Sequence, residues 1–229
     1  CGLVIAPGAM AWPSSTGYGL SVSIAEDDAI PYMREVARRI KRHGARAALQ
    51  IGARGTRTEG GAESIAPSAM RFGYEAKIPR ELTVEEIEGF VRDFGQAARR
   101  AREAGFDAVE IHAAHGKLVS LFLSAYSNRR SDAYGGTLEK RTLFPRQIVA
   151  AIRRQAGEDF PIIFRFSADD MVEGGNTAAD GLEIARIMSR AGVDAFECSA
   201  GNQEKGWNTS FNYFFPKNCI AHLARPVGD

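Results

Sequence analysis

Arg102-Glu103-Ala104-Gly105-Phe106-Asp107-Ala108-Val109-Glu110-Ile111-His112 reads as a helix end, a turn and a strand in immediate succession. Arg102 and Glu103 form a charged last helical turn, and Gly105 suits the left-handed position that follows a helix. A short apolar run then ends on a polar side chain, His112. The same grammar recurs in Arg42-His43-Gly44-Ala45-Arg46-Ala47-Ala48-Leu49-Gln50 and in Ser189-Arg190-Ala191-Gly192-Val193-Asp194-Ala195-Phe196-Glu197-Cys198-Ser199. A fourth pass runs from Gln155-Ala156-Gly157 through Pro161 into Ile162-Ile163-Phe164-Arg165-Phe166.

Working outward, the segments between these turns carry helical periodicity. After Thr83, apolar residues fall at Val84, Ile87, Val91, Phe94, Ala98 and Ala101, spaced by threes and fours. Thr83 and Glu86 have capping-box spacing, and Gly105 stops the helix. A second helix is expected over 28 to 43, entered through Asp28 and Pro31, and a third over 179 to 191. Pro145 must start or kink any helix in 137 to 155. Strands are expected near 2–8, 45–51, 107–113, 161–167 and 194–200. Buried strands alternating with amphipathic helices imply parallel βαβ units with right-handed crossovers. A closed barrel needs eight such strands, whereas a doubly wound sheet needs no closure, so the repeat alone leaves both open.

Composition narrows the function classes. The chain has 229 residues, 45% of them hydrophobic, which suits one domain over 1–229. Lys and Arg total 29 against 28 Asp and Glu, without blocks of either sign, so neither nucleic acid nor an anionic membrane is expected as a partner. No apolar run approaches the ~20 residues of a membrane span. Cys1, Cys198 and Cys219 stand far apart, which argues against a disulfide framework or metal knuckle and for a reducing, cytoplasmic compartment.

The strand ends are where the chemistry concentrates. Gln50, His112 with His115, Arg165 and Ser199 each follow an apolar run, and in a parallel barrel those ends converge on one face. Gln offers a donor and an acceptor, Arg a fixed positive fork, and the two histidines further donors. Such a set suits a flat, polar, electron-accepting ring beside a carbonyl-bearing substrate. Each member also has a plainer role: Gln50 bonded to a loop, Arg165 paired with Asp169 or Asp170, His112 a satisfied core histidine. His112 and His115 straddle a strand end with no third ligand near, so no metal site is expected.

The stretch from Leu82 to Gly136 resembles the Old Yellow Enzyme family. The residues that carry the resemblance are Glu110-Ile111-His112-Ala113-Ala114-His115-Gly116, then Leu121-Phe122-Leu123-Ser124, then Asn128-Arg129-Arg130-Ser131-Asp132-Ala133-Tyr134-Gly135-Gly136. The subgroup of 2,4-dienoyl-CoA reductases and flavin enoate reductases is the nearest match. Leu49-Gln50-Ile51, with Gly55 and Arg57, resembles that family's third strand, and Ile163-Phe164-Arg165-Phe166-Ser167 its fifth. The resemblance implies a (β/α)8 TIM barrel of which strands two to six are present, the first strand, the last two and the phosphate-binding turns being absent.

It also implies an FMN-dependent oxidoreductase that moves hydride from NADH or NADPH, through the flavin, to the activated C=C bond of an α,β-unsaturated carbonyl compound. Gly8 would let the backbone approach the flavin, Gln50 would bond its pyrimidine edge, and Arg165 would stabilise negative charge on the reduced ring. His112 and His115 would polarise the substrate carbonyl, and the loop over 128–136 would be architectural, with Arg129 or Arg130 paired to Asp132. The family's proton-donating Tyr is replaced by Lys117, an ammonium that donates only if its pKa is depressed. Ala53 stands where the family has His, Pro7 where it has an acidic or small polar residue, and Ala125 where it has Pro. Two other readings stay open: an incomplete barrel without catalysis of its own, and a lyase or isomerase barrel using Glu110 or Glu197 as base. A homo-oligomer is also open.

Overall fold

Every expected strand forms, and the strands pair in the order in which the chain makes them. The structure is a computed structural model that describes residues 1–11, 22–56, 63–73, 77–202, 204–205, 216 and 218–228. Its elements are β1 (Leu3–Met10), α1 (Ile30–Lys41), β2 (Arg46–Gly52), β3 (Ile65–Ala66), β4 (Arg80–Glu81), α2 (Val84–Glu103), β5 (Ala108–Ala113), α3 (Leu118–Leu123), α4 (Leu138–Arg141), α5 (Leu143–Ala156), β6 (Ile162–Ser167), α6 (Ala178–Arg190), β7 (Ala195–Ser199) and α7 (Ala221–Gly228). Arg57 lies outside the described residues.

The main sheet has the order β1-β2-β5-β6-β7, with every neighbouring pair parallel. A doubly wound sheet reverses its strand order at a switch point, and no reversal occurs here. Each strand lies beside its predecessor, as in a (β/α)8 barrel, so the architecture is a partial barrel. Gly44, Gly105 and Gly192, the repeated helix-ending glycines, take φ of 84°, 88° and 103°, which returns the chain to the sheet at each pass.

The strands' period of two sorts their side chains onto two faces. Leu49, Ile51, Val109, Ile111, Ile162, Phe164 and Phe166 are buried in one large apolar core with Ile87, Phe94, Ile148 and Ile152 of the helices. The other face carries a small separate cluster, Ala48, Ala108 and Ile163 with Ile5 packed against it. Above that cluster on the same face stand Gln50, Glu110, Arg165 and Glu197. A polar layer thus sits inside the barrel, below the strand ends.

Helix boundaries follow the capping chemistry. Thr83 Oγ1 accepts from the Glu86 N–H while Glu86 accepts from the Thr83 N–H. Thr177 and Asp180 repeat this reciprocal cap at the start of α6. The segment expected over 137 to 155 divides into α4 and α5 at Thr142, with Pro145 in the first turn of α5, where it breaks no internal hydrogen bond. The excursion after β2 contains the parallel pair β3 and β4. Among the described residues no helix is long and apolar enough to cross a membrane, and the three cysteines are free.

Candidate active site

The sheet register brings the polar residues together. Gln50 pairs with Glu110, His112 with Arg165, and Arg165 with Glu197 across β2, β5, β6 and β7. Gly8 lies where the β1–β2 register shifts, between Ala6 and Ala9. A Cβ at Gly8 would stand 3.0 Å from Gln50 Oε1, a distance that requires something to move. The irregularity and the missing side chain therefore leave the Gln50 amide open on that side.

His112 is the second-last residue of β5, and its side chain is half-buried. Ala114 N–H donates to His112 Nδ1 at 3.4 Å. An acceptor Nδ1 places the ring proton on Nε2, so His112 presents an Nε2–H donor. Burial lowers the pKa of His112 to about 3, helped by the nearby His115, Lys117 and Arg165. The ring is neutral at physiological pH.

His115 belongs to the turn that follows. Its φ is 57°, and Gly116 follows at 72°, so two successive left-handed residues fold the chain back over the strand ends. Such a conformation in a non-glycine residue is held by its surroundings. Ser167 Oγ accepts the His115 N–H at 3.3 Å, and Ser199 Oγ lies 2.6 Å from Nε2. Burial lowers this imidazole to about 4, and the charges of Arg165 and Lys117 act in the same direction. The two rings meet edge to face with centroids 5.5 Å apart.

Lys117, two residues on, is the N-cap residue of α3, and its carbonyl accepts from the Leu121 N–H and Ser120 Oγ. Its charge reaches both imidazoles. Arg165 does not pair with Asp169 or Asp170. Its Nε lies 3.3 Å from Glu197 Oε1, close enough for charge attraction but without hydrogen-bond alignment. Among the described residues no three His, Cys, Asp or Glu side chains gather as a metal site requires.

Sequence reading named Glu110, Glu197 and Ser199 but missed the contacts they make beneath and beside this set. Glu110 is fully buried and Gln50 Nε2 donates to its Oε2 at 2.5 Å. Burial, and after it the neighbouring Glu197 carboxyl, push the Glu110 carboxyl up to about 7. Period-two alternation in Ala108-Val109-Glu110-Ile111-His112 was the available signal, since it puts Glu110 on the His112 face. Ser167 and Ser199, which hold His115, follow from the same alternation in β6 and β7. Of the carboxylates a lyase would need, Glu110 is engaged with Gln50 and Glu197 with Arg165. In the loop over 128–136, Arg130 rather than Arg129 pairs with Asp132, at 2.6 Å.

Residues 1–211 match the model of the NADH:flavin oxidoreductase / NADH oxidase family. The chain is 40% identical over 197 residues to the NADH oxidase of Thermoanaerobacter brockii, covering 84% of this chain and 30% of that protein. It is 39% identical over 200 residues to the NADPH dehydrogenase of Halalkalibacterium halodurans, covering 87% of this chain and 58% of that one. A solved 2-naphthoyl-CoA reductase in complex with 2-naphthoyl-CoA superposes with a TM-score of 0.90 at 30% identity, over 99% of this chain and 37% of the other. The chain therefore spans less than two thirds of the length of each of these proteins. With its strand order, its strand-end histidines and arginine, and this match over nearly its whole length, the chain belongs to the NADH:flavin oxidoreductase / NADH oxidase family, as its Old Yellow Enzyme resemblance implied.

Proposed function

We propose that the protein is an FMN-dependent oxidoreductase that uses NADH or NADPH to reduce the activated C=C bond of an α,β-unsaturated carbonyl compound. The observation that carries this reading is the convergence of two neutral imidazoles, one with an Nε2–H donor, on the strand end that also holds Arg165. The relatives are named as an NADH oxidase and an NADPH dehydrogenase, and the structural neighbour binds an aromatic acyl-CoA, a conjugated carbonyl compound.

The residues fit a flat heterocycle. Gly8 leaves the Gln50 amide open, and the guanidinium of Arg165 sits on the neighbouring side of the same layer. The chemistry FMN supplies when bound is hydride transfer, from the nicotinamide to the substrate double bond. Arg165 favours negative charge on the ring by electrostatic attraction at a fixed site. His112 donates its Nε2–H to the substrate carbonyl oxygen. Ser199 occupies His115 Nε2, so His115 meets the same oxygen through Nδ1. Being neutral, both rings polarise the carbonyl without surrendering a proton to it. Lys117 is the candidate proton donor to carbon, in the place of the family's Tyr.

Titration of the purified chain with FMN, followed by the flavin absorbance band and fluorescence quenching, tests the proposal. Saturable binding weakened roughly tenfold or more by Arg165→Ala, the scale of a lost charge-assisted hydrogen bond, is expected. His112→Ala should spare flavin binding and raise KM for the unsaturated substrate. If neither variant changes either quantity in flavin-loaded protein, the site assignment is wrong.

A further inference from the structure

The flavin-edge glutamine of the proposed function does not stand alone. A glutamine amide can be seated two ways round, offering its neighbours either an oxygen or an NH2 group. Gln50 on β2 lies between Gly8 of β1 and Glu110 of β5. Glu110, with no exposure to solvent, accepts from Nε2 on the β5 side. The reverse seating would set the amide oxygen against a carboxyl oxygen and leave a buried acceptor without a donor. Oε1 therefore faces the open side, where it is the atom nearest to a Cβ built on Gly8.

We propose that Glu110 is a positioning residue that fixes the Gln50 amide with its oxygen outward, so that Gln50 meets a bound ring as an acceptor for a ring N–H. The inference rests on the flavin reading for the identity of the ring, but not for the seating of the amide. Glu110 Oε1 is buried without a hydrogen-bond partner among the described residues. Burial and the neighbouring Glu197 carboxyl both favour the protonated form of Glu110. Glu197 in turn lies against Arg165. Gln50 on β2 and Arg165 on β6 thus each rest against a carboxyl of the same layer, Glu110 of β5 and Glu197 of β7.

The conservative variant separates positioning from bulk. In Glu110→Gln the new amide oxygen keeps an acceptor for Gln50 at the same volume. Glu110→Met keeps the volume and removes that acceptor. In 15N-labelled ligand-free protein, the Gln50 Nε2 protons of the wild type should exchange with water at least tenfold more slowly than those of exposed glutamines. Glu110→Met should abolish this protection and Glu110→Gln should keep it. With FMN, Glu110→Met should raise Kd roughly tenfold, the scale of one misplaced hydrogen bond, and shift the flavin midpoint potential, while Glu110→Gln stays within about threefold of wild type. Unprotected Gln50 protons in the wild type would overturn the proposal even if Glu110→Met does not fold. So would a Glu110→Met protein that keeps both the protection and the FMN Kd, or a Glu110→Gln protein as impaired as Glu110→Met. Wild-type protein with protected Gln50 protons but no uptake of flavin would support the seating by Glu110 and defeat the flavin reading instead.

Discussion

Asp107 clamps the start of the neighbouring strand: its carboxylate accepts the Ala47 N–H at 2.9 Å while its own N–H donates to the Ala47 carbonyl at 2.7 Å. Asp194 does the same to Ile162, at 2.7 and 3.0 Å. Both aspartates follow a helix-ending glycine by two positions, so the repeat encodes a lock at the amino ends of the strands, opposite the site.

Partial burial pushes the Asp107 carboxyl up, but the Ala47 N–H, Lys41 and Arg46 outweigh it and hold its pKa below the usual carboxylate value. The unfolded chain then binds this proton more readily than the folded one. The clamp stabilises the fold above the ordinary carboxylate pKa, and the contribution is lost as pH falls through the folded value. Asp107→Ala should cost about 2 kcal/mol in urea unfolding at pH 7, and Asp107→Asn, which keeps an acceptor for Ala47, about half of that. The Asn penalty should shrink toward pH 3. A constant penalty across that range would show that the carboxylate charge contributes nothing.

Arg130 makes the loop over 128–136 a structural tie. Its side chain is 5% exposed, and it pairs with Asp132 and Glu81. Nη1 also donates to the carbonyls of Pro67 and Leu82, at 3.0 and 2.6 Å. No single ammonium reproduces that fork, so Arg130→Lys should lose about 3 kcal/mol of unfolding free energy, as for a broken buried pair. Flavin affinity of the fraction that remains folded should be unchanged, since Arg130 does not enter the strand-end layer. A loss of stability below about 0.5 kcal/mol would place this loop among ordinary surface segments.

Asp170 lies in a buried knot behind the site. Its Oδ2 accepts from Ser124 Oγ and from the Asn176 N–H, each at 2.7 Å. Burial raises its pKa to about 6, and the neighbouring Asp169 adds to the rise, against the pull of those hydrogen bonds and of Arg141. A raised folded pKa contributes stability that is complete below the ordinary carboxylate value and is lost as pH rises through about 6. Asp170→Asn keeps an acceptor without the charge and should equal or exceed wild-type stability at pH 8. Asp170→Ala should fall about 2 kcal/mol below it, because Ser124 and Asn176 lose their acceptor. Thermal unfolding of the three proteins at pH 5 and pH 8 decides the matter.

Much of this was legible because it is local. The Gly44, Gly105 and Gly192 turns, the Thr83 cap and the strands they bracket are set by residues within a few positions of one another. The short helix α3 was not legible, because Leu118–Leu123 is buried on every side and its one polar residue, Ser120, marks no periodicity. The choice between barrel and doubly wound sheet also needed strand order, which is a tertiary property. Within the site, His112 and Arg165 could be read from their positions at strand ends. The bond between His115 and Ser199 joins residues 84 positions apart and leaves no local trace. Glu110 looked like one more member of an apolar run until its alternation with His112 was set against the layer it enters.

The two imidazoles give the site its sharpest test. Burial is the largest cause of both depressed pKa values, but the next differs: His115 for His112, and Arg165 for His115. In wild-type protein neither Cε1–H resonance should titrate between pH 8 and pH 5. Each ring takes a proton in the unfolded chain near 6.5 and refuses it in the fold, so the pair removes stability as pH falls from 6.5 toward 4. Arg165→Ala withdraws a positive charge that comes first after burial among the causes for His115 and last among those for His112. The His115 resonance should then begin to titrate upward, toward the ordinary value, while His112 stays flat. Movement of His112 ahead of His115 would mean that the guanidinium lies nearer the strand-end ring than the turn ring, and the assignment of Arg165 to the flavin side of the layer would fail with it.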